Sequence, residues 1–168
     1  MNGDEIVDGR AYRCVHGHFR PRQFWSAGRN AKLVMWMRDP VDRIRSWYDF
    51  WDAIEPSGEP HHMEFKASGM SLAEFAGWHI VTGGFADIFL DGTDGLDSFE
   101  FIGLTERFDD DLAKLARRLG WVTTPEPGVR ANTTPKTPTV IDAATRAAIE
   151  RHHEVEIDFY RRAAERFA

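Results

Sequence analysis

Cysteine is almost absent from this chain. Cys14 is the only one in 168 residues, so no internal disulfide can form and a cysteine-based zinc site within one chain is not expected. Long apolar runs are missing too: none approaches the ~20 residues that span a bilayer. The first ten residues, MNGDEIVDGR, are acidic and polar, unlike the charged-then-apolar pattern of a secretory leader. These absences point to a cytoplasmic protein without a membrane partner. Positive charge is in deficit, with a net charge of −6, which argues against nucleic acid as a general partner. Internal repeats and low-complexity tracts are absent. What remains is ordinary globular material, 42% hydrophobic and 29% charged, with six Trp and twelve Phe to bury. The length suits a single domain over residues 1–168.

The charge is unevenly spread. Residues 10–45 hold nine cationic side chains, Arg10, Arg13, Arg20, Arg22, Arg29, Lys32, Arg38, Arg43 and Arg45, against Asp39 and Asp42, a local balance of +7. A local anion site fits this pattern, and so does a solvated basic face.

Periodicity gives an alternation of strands and helices. Residues 12–16 (YRCVH) read as a short strand ending at Gly17. Residues 32–38 (KLVMWMR) form a continuous apolar run, as in a strand buried on both faces. Asp39 and Pro40 then supply an N-cap and a first helical residue, and the helix buries Val41, Ile44, Tyr48 and Trp51. Residues 55–70 read as a loop. Ser71 and Glu74 form a capping box for a second helix. Residues 99–104 (FEFIGL) read as another buried strand, followed by a helix with Phe108, Leu112, Leu115 and Leu119 on one face. Residues 122–138 contain four prolines and no apolar period, so they form a long loop. A single helix is expected over about 140–166, with Thr139 as its cap. This order implies an α/β domain with a mainly parallel sheet, whose ligands sit at the carboxyl ends of the strands.

Three groups of residues carry chemistry in that frame. Arg38 stands at a strand end before a helix N-terminus, where its rigid donor fork, the helix dipole and free N–H groups suit a phosphate. Ser46, two turns along, adds a hydroxyl donor. The competing reading pairs Arg38 with an acidic side chain. His16 and His18 flank Gly17 and project to one face of an extended segment. A histidine there suits a general base. A histidine metal site completed by His61-His62 or His152-His153, or a purely structural role, is the alternative. Finally, the loop from Arg130 through Thr134 to Lys136 offers two cations and several hydroxyls for wrapping a charged ligand.

In this order the segments VHGHF (15–19), MRDPVDRIRSWYDF (37–50), FIGLTERFDDDLAKL (101–115), and NTTPKTPT leading into IDFYRRAAERF resemble the carbohydrate sulfotransferases. The similarity is greatest to the heparan sulfate/uronyl 2-O-sulfotransferase branch. The resemblance implies a P-loop-NTPase-like α/β fold using 3′-phosphoadenosine-5′-phosphosulfate as donor, with no metal. It places Arg38 and Ser46 on the donor's 3′-phosphate, His18 with His16 on the acceptor hydroxyl as base, and Arg130, Thr134 and Lys136 on the loop that closes over the nucleotide. The acceptor would be a hydroxylated carbohydrate or small molecule, and the net charge favours a neutral one. One departure stands out. Such enzymes carry a lysine-bearing phosphosulfate loop upstream of the HGH motif, whereas the fifteen residues before His16 contain no lysine. An N-terminally truncated fold is therefore expected, active only if the loop is restored, with an exposed sheet edge that favours a homo-oligomer. A non-catalytic nucleotide-binding or interaction remnant is the other outcome.

Overall fold

The computed structural model describes residues 14–27, 31–56, 58–122, 128 and 138–168. Among them are two strands, β1 (Leu33–Met37) and β2 (Phe99–Leu104), and seven helices. The helices are α1 (Pro40–Ala53), α2 (Pro60–Ser68), α3 (Leu72–Gly77), α4 (Gly84–Phe89), α5 (Phe108–Leu119), α6 (Ala143–His152) and α7 (Glu154–Arg166). The mixed α/β class and the parallel pairing agree with the sequence reading, and the sheet is two strands wide among the described residues.

The strands pair with Met37 opposite Leu104 and Trp36 opposite Gly103. The second pairing explains the glycine: a Cβ on Gly103 would overlap the Trp36 indole, which lies across it and packs at a tilt on Phe108, 4.5 Å between ring centres. Around the sheet, Met37, Phe101, Ile102 and Leu104 pack against Leu115 of α5 and Phe159, Ala163 and Phe167 at the C-terminal end. A second core lies among the helices, where Val41 and Ile44 of α1 meet Phe65, Phe75, Ala76 and Ile149. Phe75 is fully buried, with Trp47, Tyr48, Trp51 and Phe65 edge-on at 5.4–6.0 Å. Burying one such ring stabilises by about 1.5–3 kcal/mol, and each edge-to-face pair adds about 0.5–1.5.

Asp39 caps α1 as read from the sequence, accepting from Val41 N at 3.0 Å and Asp42 N at 3.1 Å. Ser71 and Glu74 form the capping box of α3. Four readings are corrected, the last of them the cap of the C-terminal helix. Residues 55–70 are not one loop: Glu59 accepts from His61 and His62 N–H, Pro60 opens α2, and Gly69 in a left-handed conformation closes it. Residues 14–16 are not a strand, while Tyr12 and Arg13 of the expected strand lie outside the described residues. The expected C-terminal helix is two helices, broken at His153 (φ −125°, ψ 26°).

That break is held from outside the helix. The His153 ring is buried and its Nε2 lies 2.9 Å from the Ala76 carbonyl; a carbonyl only accepts, so Nε2 donates. Its Nδ1 lies 3.7 Å from Glu156, which also takes a bidentate pair from Arg43 at 2.6 and 2.7 Å. Burial raises the Glu156 carboxyl, and the His153 and Arg43 donors more than offset it, leaving it below its ordinary value. Asp142, not Thr139, caps α6, accepting from Thr145 N at 2.7 Å.

Candidate functional site

Parallel pairing with Met37 opposite Leu104 brings Arg38-Asp39 and Thr105-Glu106 out side by side at the carboxyl end of the sheet. Arg38 is half-buried, and among the described residues its guanidinium has no hydrogen-bond or ion-pair partner. Ser46 follows on α1, two residues past the buried Ile44 and so on the opposite side of the helix. Its hydroxyl is likewise without a partner among the described residues. Both donors are therefore available to an anion.

The helix N-terminus is different. Asp39 fills the Val41 and Asp42 N–H groups, and Glu106 Oε1 accepts from Asp39 N at 2.7 Å. Tyr160 donates to Glu106 Oε2 at 3.4 Å. The free N–H groups that the sequence reading assigned to a phosphate are thus already bonded to carboxylates. Tyr160 records this acidic surrounding: burial, followed by the charges of Glu106 and Asp39, pushes its phenol up to about 12. What remains for an anion is the Arg38 fork and the Ser46 hydroxyl.

Arg130, Thr134 and Lys136 lie outside the described residues. The chain that follows them is anchored, because Thr139 donates from Oγ1 and N to Asp49 at 2.5 and 3.3 Å. Asp49 is three residues beyond Ser46 on the same side of α1. The proline-rich loop therefore ends one turn from the Ser46 hydroxyl.

The histidine pair is placed elsewhere. His16 and His18 are exposed and lie in an irregular segment with a bend at Gly17-His18. The His18 ring packs 5.9 Å from Phe89 of α4. Arg20 fixes this segment by donating to Asp87 O at 2.7 Å and Asp91 at 3.2 Å, and Arg22 reaches Asp91 at 2.6 Å. Among the described residues no hydrogen bond orients either imidazole, and no hydrogen bond or ring contact joins them to Arg38 or Ser46.

No protein-family model, curated protein or solved structure matches this chain. The site is therefore read from its own chemistry. Much of the basic excess in residues 10–45 is neutralised inside the fold: Arg20 and Arg22 by Asp91, Lys32 by Glu100, Arg43 by Glu156, and Arg45 by Asp42. Arg10, Arg13 and Arg29 lie outside the described residues. Arg38 departs from this pattern.

Two grooves flank the sheet. One, of about 380 Å³, lies beside Asp39 and Pro40, between α6 and α7, and is lined by Arg146, Glu150, Ile157, Tyr160 and Arg161 among others. The other, of about 560 Å³, lies at the amino ends of the strands, with Lys32, Arg118 and Arg166 facing Glu100 and Asp97. Its cations are taken: Arg118 holds Glu100 at 2.6 Å and Arg166 pairs with Asp97. The carboxyl end is thus the better place for an anion. Glu106 and Tyr160 were not singled out in the sequence; the signal available was an acidic residue two positions after a buried strand. Among the described residues no group of three or more His, Cys, Asp or Glu side chains is arranged to hold a metal ion. No helix there is long and apolar enough to cross a membrane.

Proposed function

We propose that this chain is a sulfotransferase-like protein. It would transfer a sulfuryl group from 3′-phosphoadenosine-5′-phosphosulfate to a hydroxyl of a carbohydrate or small-molecule acceptor, on a P-loop-NTPase-like fold. The supporting observation is Arg38: a guanidinium without a partner among the described residues, at the carboxyl end of a parallel strand, in a protein that neutralises several neighbouring cations. Arg38 and Ser46 fit a phosphate group because a bidentate cation and a hydroxyl donor are both available. The donor supplies the sulfuryl group and a phosphate leaving group. His18, with His16 beside it, takes the acceptor's proton as the acceptor oxygen bonds to sulfur and the sulfur–oxygen bond to the 5′-phosphate breaks. Arg130, Thr134 and Lys136 cover the nucleotide, steadied by the Thr139–Asp49 anchor.

The same reading carries a cytoplasmic location, a neutral acceptor, and self-association through the edge of β1, whose residues Leu33–Trp36 stay half-exposed. A second reading, nucleotide binding without transfer, is favoured by the exposure of His16 and His18 with no partner among the described residues to fix a tautomer. Calorimetric titration with 3′-phosphoadenosine-5′-phosphate beside AMP tests the shared claim. Preferential binding of the bisphosphate is expected, and equal or absent binding of the two nucleotides overturns it.

A further inference from the structure

The carboxyl end of the sheet holds a contact that the nucleotide reading does not use. Glu106 leaves β2 through a single turn, Thr105–Arg107, and places its carboxylate on the backbone N–H of Asp39 at 2.7 Å. Asp39 directly follows Arg38. A carboxylate is a two-oxygen anion with the same preference for an N–H donor as a phosphate oxygen. Its second oxygen is reached by the Tyr160 hydroxyl at 3.4 Å, so α7 also helps to keep Glu106 in place. Glu106 itself is exposed, and its neighbour Arg107 is committed elsewhere, to Asp111 at 2.7 Å and the Phe167 carbonyl at 3.1 Å. Thus nothing buried fixes Glu106 where it lies.

We infer that Glu106 is an internal anionic ligand that occupies part of the phosphate grip at Arg38 and must be displaced when a nucleotide phosphate binds. This rests on the nucleotide reading above and names a regulation of that same site. With Glu106 in place, an arriving phosphate finds the Asp39 amide bonded and a negative charge beside it. Displacement restores a backbone donor next to the Arg38 fork and moves that charge away. Glu106 therefore lowers affinity by the same factor for inorganic phosphate and for a nucleotide phosphate, whenever either must displace it.

The test is calorimetric titration of the folded wild-type chain, Glu106→Ala, Glu106→Gln and Glu106→Asp with 3′-phosphoadenosine-5′-phosphate, and separately with inorganic phosphate. Glu106→Ala is expected to tighten bisphosphate binding by about tenfold or more, the scale of one charge-assisted hydrogen bond gained. Glu106→Gln keeps an acceptor on the amide but removes the charge, so an intermediate gain is expected. Glu106→Asp keeps the charge but is one methylene too short to hold the amide, and it too should bind more tightly than wild type. Wild-type binding that is unchanged or weakened in Glu106→Ala overturns the internal-ligand role and leaves the nucleotide reading standing. Absence of binding in all four proteins overturns both.

Discussion

Asp111 is fully buried, yet it carries a charge. It accepts from Leu104 N at 2.9 Å, Arg107 Nε at 2.7 Å and Lys114 Nζ at 3.2 Å, and so ties the end of β2 to α5. Burial pushes its carboxyl up, and these three donors more than offset that, leaving it below the usual aspartate value. The folded state therefore binds fewer protons than the unfolded chain, and stability rises with pH. This contribution is complete above the unfolded carboxylate value near ~4. It is lost as pH falls through the lower folded value. Glu156 acts in the same direction. Asp111→Asn should cost roughly 3 kcal/mol near neutral pH, and the gap from wild type should narrow in acid; urea melts at both pH values would show it. A gap that persists unchanged into acid would contradict the role of the charge. In the sequence, Asp111 is indistinguishable from Asp109 and Asp110, which read together as acidic first-turn residues. Only packing against Leu104 separates it from them.

At the scale of elements, the legible parts were those set by local chemistry. The apolar run at 32–38, the Asp39-Pro40 start and the Ser71/Glu74 box all specify their structure within a few residues, and all appear, the run as the strand Leu33–Met37. α2 was equally local, with Glu59-Pro60 at its start and Gly69 at its end, but its Pro-His-His composition masked it. The break at His153 was not legible, because the bond to Ala76 that accompanies it comes from 77 residues away. Strand pairing left a readable mark in Gly103, whose place opposite Trp36 explains a small residue inside a buried strand. Gly103→Ala should destabilise the protein by about 1–3 kcal/mol, as overpacking does, and a thermal melt would measure it. An unchanged midpoint would mean that Trp36 has room to move away.

For the whole molecule, charge misled where it was counted and informed where it was placed. A balance of +7 in residues 10–45 suggested a local anion site or a solvated basic face, but long-range partners such as Asp91, Glu100 and Glu156 consume much of it. Those partners lie 68 to 113 residues away along the chain and were invisible before folding. Likewise, the strand–helix order foretold a parallel pair but not that the His16–His18 segment would be irregular, with His18 packed on Phe89 of α4. What survives is two donors without a partner among the described residues, Arg38 at the carboxyl end of β1 and Ser46 within α1, which the proposed function assigns to a phosphate. The most direct test is the affinity of Arg38→Ala for 3′-phosphoadenosine-5′-phosphate, compared with wild type by titration calorimetry. A loss of about 1.5–3 kcal/mol, the scale of a charge-assisted hydrogen bond, is the predicted result; an affinity equal to wild type would contradict the assignment of this site.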